Sequence, residues 1–321
     1  MGRALAKGRR RAGSQGGPAG HRTDAKGLRC REEGHLGLLR RRAEPMSFKH
    51  RIGIDLGRSI ALEDGIAWAA RHGVYYFDAQ TDIAPNAMES FGDRSCARIA
   101  AACERHGLHL GLHTLSAVNV AEISPFLREA ADQYLRAYID LAARLKAEWV
   151  VVHGGYHFTS DVALRKQVSI DRLKRAVAYA EERQVLLLLE NLNGEPERAE
   201  VHYMPDTLAD TIHYFEQIRS PQLKWAFTIN HAHYDPIGIK GFIEGMDMSR
   251  CEEVRVADNN GLYELHMPPG SGTVDFVDMF RRLEAAGFKG HYMCGWGSRD
   301  DMLLGRDYLV ACARAAGVAE A

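Results

Sequence analysis

Eight short apolar runs, each followed by a longer amphipathic stretch, fill about 270 of the 321 residues and predict a single closed (β/α)8 barrel. A second observation agrees. Ionisable or amide side chains recur just where the apolar runs stop, the end at which parallel strands present ligand sites. The rival architecture, a doubly wound open sheet, would want a Gly-rich phosphate loop after the first run. Gly53 and Gly57 are too sparse to supply one.

The elements follow in order. Arg51–Gly57 reads as a strand, and Ala61–His72 as a helix stopped by Gly73. Tyr75–Asp78 is the second strand, with helix Arg94–His106 stopped by Gly107. Leu108–Thr114 is the third, followed by a long helix over Pro125–Ala147. Trp149–His153 is the fourth, followed by a helix over Asp161–Arg183. The fifth, Val185–Glu190, has five consecutive apolar residues, too few for a core-facing helix but suited to a strand buried on both faces. Helix Asp206–Ile218 follows it. Leu223–Ile229, Val254–Asp258 and His291–Cys294 complete the eight, with helices near Ile239–Met246, Val274–Ala286 and Met302–Ala315. Gly73, Gly107 and Gly287 supply the left-handed stop that returns the chain to the next strand.

Charge divides the chain. Residues 1–45 hold 12 Lys and Arg against 4 Asp and Glu, the remainder 29 against 38. The basic segment has no apolar period and is expected to be disordered. It reads as a nucleic-acid or membrane-surface tail, an organellar address, or a start codon assigned too early with translation from Met46; the last is preferred. Residues 46–321 then form one barrel domain. That domain carries a net charge of -9, which disfavours a nucleic-acid partner. No apolar run is long enough for a membrane helix. Cys30, Cys96, Cys103, Cys251, Cys294 and Cys312 show no CxxC pair, as in reduced, cytoplasmic proteins.

The strand ends bring Asp55, Asp78, His113, His153, Glu190, His231, Arg255 and Asp258 to one mouth, joined by a loop with Glu264 and His266. A lone histidine at a strand end is more often a hydrogen-bonded structural group. Several converging histidines with a glutamate make a set for zinc, manganese or iron. His157, His202 and His233 are read as loop residues, and His72, His106 and His109 as partners of helix C-terminal carbonyls. Asn191, Asn193, Asp258 and Asn259 suit a hydroxylated ligand, and Trp296 or Trp225 a sugar-stacking wall or core. Cys294 has no evident base beside it, and reads as structural.

The series Leu112-His113, Val152-His153-Gly154, Leu189-Glu190-Asn191, Asn230-His231, Asp258-Asn259-Asn260 and Pro269-Gly270-Ser271-Gly272 resembles the xylose-isomerase-like barrel superfamily, from about Arg51 to Gly317. That group includes sugar isomerases, ketose 3-epimerases and abasic-site endonucleases. The resemblance implies a sugar or polyol isomerase or epimerase that moves a proton next to a carbonyl. In its epimerases one divalent metal sits between Glu, Asp, His and Glu. Here those positions hold Glu190, Thr228, Arg255 and Cys294 or Gly295. The endonuclease ligand sets are better matched, by His113/His153/Glu190 and by His231/Glu264/His266, with Glu264 in place of aspartate. Pairing of two copies through barrel helices is implied by analogy.

Arginine cannot ligate a metal. Arg255 is expected to replace the metal as a fixed cation, to grip a substrate anion, or to pair with Glu190, while Glu190 or His231 moves protons. The alternatives are a lyase, dehydratase or hydrolase acting on a small carboxylated or hydroxylated metabolite, and a non-catalytic metabolite-binding barrel.

Overall fold

The computed structural model describes residues 47–319. The basic segment and Cys30 lie outside these residues, as does Met46. The strands are β1 (Ile52–Gly57), β2 (Tyr76–Ala79), β3 (His109–His113), β4 (Trp149–Val152), β5 (Tyr156–Phe158), β6 (Leu186–Glu190), β7 (Val201–Tyr203), β8 (Leu223–Thr228), β9 (Cys251–Val256) and β10 (His291–Cys294). The helices are α1 (Leu62–His72), α2 (Asp93–His106), α3 (Pro125–Leu145), α4 (Val162–Arg183), α5 (Leu208–Gln217), α6 (Ile229–Tyr234), α7 (Gly238–Gly245), α8 (Phe276–Ala285) and α9 (Arg299–Ala315).

Eight of these strands close a parallel barrel in the order β1-β10-β9-β8-β6-β4-β3-β2, as the sequence predicts. Ile54 pairs with Phe77 on one side and Cys294 on the other, which seals the first strand to the last. Gly73 and Gly107 cap α1 and α2 in the left-handed conformation, at φ 60° and 61°. Lys146 and Gln184 adopt the same geometry after α3 and α4 without glycine's freedom.

Two features differ from the expected one-helix-per-strand pattern. β5 and β7, from the loops after β4 and β6, pair antiparallel over the mouth and stack His157 on His202, so these histidines are not in loops. Three-residue strands are too short to show a period in sequence. The helix α6 follows β8 with no intervening turn and carries His231 and His233. His109 is also corrected. It opens β3, stacks on Tyr76 with ring centroids 4.4 Å apart, and its Nδ1 lies 2.7 Å from Glu148.

Alternation along each strand sends every second side chain inward. Trp149, Val151, Leu188, Ala226 and Met293 form the apolar interior, separate from the larger core beneath the helices. Gly111 lacks a side chain where the Trp149 indole lies; a Cβ there would fall 2.1 Å from the ring. Trp225 is fully buried and its indole N–H donates to Asn191, so it is core rather than a stacking wall.

The interior also holds a buried charge network. Arg255 Nη1 donates to Asp78 and to Glu253, and Nη2 to Asp55, each at 2.7 Å. Glu253 in turn meets His291 Nε2 at 2.8 Å. Arg255 is therefore not paired by a hydrogen bond to Glu190, and three of its N–H groups are engaged by carboxylates. Burial, reinforced by the charges of Asp55 and Glu253, pushes Asp78 up to about 8 despite Arg255. Burial opposes the charge on Glu253 too, but Arg255 and His291 hold it below the usual carboxylate range. Replacing Arg255 by methionine should cost about 3–5 kcal/mol, because it strands inward carboxylates without their cation. Urea denaturation measures this loss.

Candidate active site

His113 ends β3, His153 follows β4 directly, and Glu190 ends β6, so adjacent strands deliver three ligand atoms to one point. His113 Nε2 lies 3.3 Å from His153 Nε2 and 3.3 Å from Glu190 Oε2, and the third edge is 3.1 Å. Tetrahedral zinc with bonds of about 2.0–2.1 Å requires ligand edges of about 3.3–3.4 Å. The triangle matches that spacing.

Hydrogen bonds orient two of its corners. Thr114 donates its hydroxyl proton to the Val151 carbonyl at 3.0 Å, so its oxygen accepts from His153 Nδ1 at 3.1 Å. This leaves the His153 Nε2 lone pair facing the triangle. Thr228 donates to Glu190 Oε1 at 2.6 Å, leaving Oε2 at the corner. Burial disfavours charge on all three groups. The adjoining His113 and His153 imidazoles nevertheless hold Glu190 well below the carboxylate range. For His153 burial wins and keeps the ring neutral, as a metal ligand must be. Asp55 and Glu190 outweigh burial at His113 and raise it to about 10, so positive charge, proton or metal, is favoured there.

A second cluster adjoins the first. His231 Nδ1 donates to the Asn191 carbonyl at 2.8 Å, and its Nε2 lies 3.2 Å from Glu264 Oε1. His266 Nδ1 donates to the Gly295 carbonyl at 2.7 Å, and its Nε2 approaches the same Glu264 oxygen at 2.7 Å. With both Nδ1 atoms committed as donors, each Nε2 needs a proton or a cation to face that carboxylate. The 2.7 Å separation is that of a charge-assisted hydrogen bond and is shorter than a tetrahedral ligand edge. This set therefore fits protons better than metal. Burial opposes charge on Glu264, but the two imidazoles bring it down to about 2; Glu264 and Glu190 raise His231.

The central position implied by the epimerase pattern does not fit a cation. Thr228 is bonded to Glu190, the Arg255 guanidinium stands where a histidine ligand would, and Gly295 carries no side chain. Three other sequence expectations are corrected. Asn191 accepts from the Thr228 amide and Trp225 and donates to the Thr228 carbonyl. Asn259 donates to the Asn230 carbonyl and accepts from the Gly261 amide. Asp258 accepts from the amides of Gly270, Gly272 and Val274. All three organise loops rather than face a ligand. Trp296 is buried beside α9 and lines a neighbouring pocket with Asp55, His266 and Gly295, and burial pushes the Cys294 thiol up to about 12, far from a nucleophile. Asn193 does reach the mouth, where its amide donates to Glu195.

The mouth opens into a cavity of about 380 Å³ lined by both histidine clusters together with Gln80, Ser116 and Asn193. A deeper pocket of about 180 Å³ reaches Arg255. A larger groove of about 730 Å³ lies outside, between α3 and α4, where Arg175 is paired with Asp132. Sequence reading did not single out Glu253 or Thr114. The Glu253/Arg255 pair, two residues apart on an otherwise buried strand, was the available signal.

Comparison with known proteins agrees with the barrel fold. A curated relative, the uncharacterized protein MJ1311 of Methanocaldococcus jannaschii, is 24% identical over 196 residues, 58% of this chain and 64% of that protein. Solved structures share the fold. A D-tagatose 3-epimerase-like protein superposes with a TM-score of 0.73 at 20% identity, over 85% of this chain and 98% of its own. D-psicose 3-epimerase from Clostridium cellulolyticum H10 gives 0.68 at 14%, over 84% and 99%. The 3-keto-D-glucoside 4-epimerase YcjR from E. coli gives 0.64 at 16%, over 82% and 99%. The family model for xylose isomerase-like TIM barrels matches residues 66–316, and the chain belongs to that family.

Proposed function

We propose that this chain is a sugar isomerase or epimerase that moves a proton next to a carbonyl, with a divalent cation at His113, His153 and Glu190. The observation that carries this reading is the triangle itself, with edges of 3.1–3.3 Å. A cation bound there would polarise a substrate carbonyl or hydroxyl oxygen. Relatedness to structures named as sugar epimerases supports the substrate class.

His231 carries the proton. Its Nδ1 bond to Asn191 fixes the ring, and Glu264 stabilises the imidazolium form. Gln80, Ser116 and Asn193 offer amide and hydroxyl partners to substrate hydroxyls. The described lining of the cavity around both histidine clusters and of the deeper pocket contains no lysine, and its arginine, Arg255, is held by carboxylates; Arg58 and Arg299 line the neighbouring pocket. An uncharged substrate therefore suits the site better than a phosphorylated or carboxylated one, and better than DNA. No acidic side chain stands at Cys294 or Gly295 to serve a second face of the sugar. Proton transfer between adjacent carbons, or elimination, fits this one-sided arrangement as well as inversion does.

Protein purified without chelators should contain close to one equivalent of zinc, manganese or iron by elemental analysis, and His153→Ala and Glu190→Ala should lose it. Equal metal content in all three proteins would remove the triangle from the reading. Incubated with neutral ketoses and keto-glycosides in D2O, the protein should incorporate deuterium beside the carbonyl. His231→Asn should slow that exchange by about 10²–10⁴-fold. NMR of the recovered sugars measures the exchange, and no incorporation into any neutral sugar would defeat the proposed reaction.

A further inference from the structure

Each corner of the triangle is held from its far side, but not equally. Thr114 holds His153, and Thr228 holds Glu190. The Nδ1 of His113 is buried and has no hydrogen-bond partner. Its nearest acceptors are Asp55 Oδ2 at 3.7 Å and Asp78 Oδ2 at 3.9 Å. On the other side Glu190 Oε2, 3.3 Å from Nε2, favours a proton there, so the two carboxylates compete for it. A ring with its proton on Nε2 could not offer that nitrogen to a cation.

Asp55 is built for this task. Its Oδ1 accepts from the Gly57 amide at 2.6 Å, a local turn that fixes the carboxylate plane. Its Oδ2 accepts from Arg255 Nη2 at 2.7 Å and faces His113. Arg255 is itself anchored by Asp78 and Glu253, and Glu253 by His291. Buried hydrogen bonds thus run from β10 and β9 to Asp55, whose Oδ2 stands 3.7 Å from the His113 Nδ1.

We propose that Asp55 is a positioning residue that, with a cation bound, accepts a hydrogen bond from the Nδ1–H of His113 and thereby turns the Nε2 lone pair toward the cation, with Arg255 holding Asp55 in place. This rests on the metal reading of the triangle. It assigns a role to the guanidinium that neither ligation nor substrate capture explains.

The test measures zinc affinity by competition with a chromophoric chelator, together with the ring-nitrogen NMR signals of His113. Asp55→Asn should weaken zinc by about 10–100-fold, the usual cost of losing a carboxylate behind a ligating histidine. Only one oxygen of the new amide would remain for both the Gly57 amide and Arg255. In the zinc-loaded wild type the His113 proton should reside on Nδ1, a measurement that needs no variant. Zinc binding by Asp55→Asn within about threefold of wild type, while His153→Ala loses it, would overturn the Asp55 role and leave the metal reading standing. A His113 proton on Nε2 in the zinc-loaded protein, or a weakened Asp55→Asn with unchanged His113 signals, would overturn it too. Failure of the wild type itself to bind zinc would defeat the metal reading and this inference together.

Discussion

The charge balance around Arg255 sets what the rest of the barrel mouth can be. Asp55, Asp78 and Glu253 point inward from three strands, and a buried carboxylate without a cation or a proton is costly. One guanidinium answers all three because its planar fork presents donors in several directions. Burial and the crowding of negative charge push Asp78 up to about 8, and His291 faces Glu253. A cation bound at the same centre would meet a fixed positive charge. The cluster whose spacing would suit a cation is displaced from that centre, toward the ends of β3, β4 and β6.

That displacement divides the mouth into two chemically distinct halves. On one side three ligand atoms stand at the edges of a tetrahedral face, with the His153 and Glu190 corners oriented by threonine hydroxyls. On the other, Glu264 lies between two imidazoles whose Nδ1 protons go to backbone carbonyls, with His266 Nε2 2.7 Å from its carboxylate. Both halves line one cavity of about 380 Å³, the proximity that the proposed carbonyl polarisation and proton transfer on one small molecule would need. The β5–β7 pair, absent from a minimal barrel, roofs the same mouth.

Most of the architecture was legible because a parallel barrel advertises itself. Strands buried on both faces, such as Leu186–Glu190, read as uninterrupted apolar runs, and glycines at helix ends read as stops. The polar residues at strand ends were legible for the same reason, since the strand's last inward position is the first that can face solvent or ligand. What misled was residue type taken without partners. Asn191, Asp258 and Asn259 have the chemistry of sugar binders, but their groups are consumed by the backbone of neighbouring loops. The two short strands β5 and β7 escaped because their pairing is set by distant segments rather than by local periodicity.

The sequence alone therefore determined the barrel, its strand count, and the identity of the histidines and glutamates at its mouth. Those properties depend on periodicity and on position along a strand, both of which are local. Which imidazole lone pair faces which carboxylate, and whether Arg255 meets Glu190 or Asp55, Asp78 and Glu253, was decided only in three dimensions. Those partners come from strands up to 200 residues apart. Closing the barrel brings them within hydrogen-bond reach, and hydrogen bonding is too short-ranged to be read from spacing along the chain.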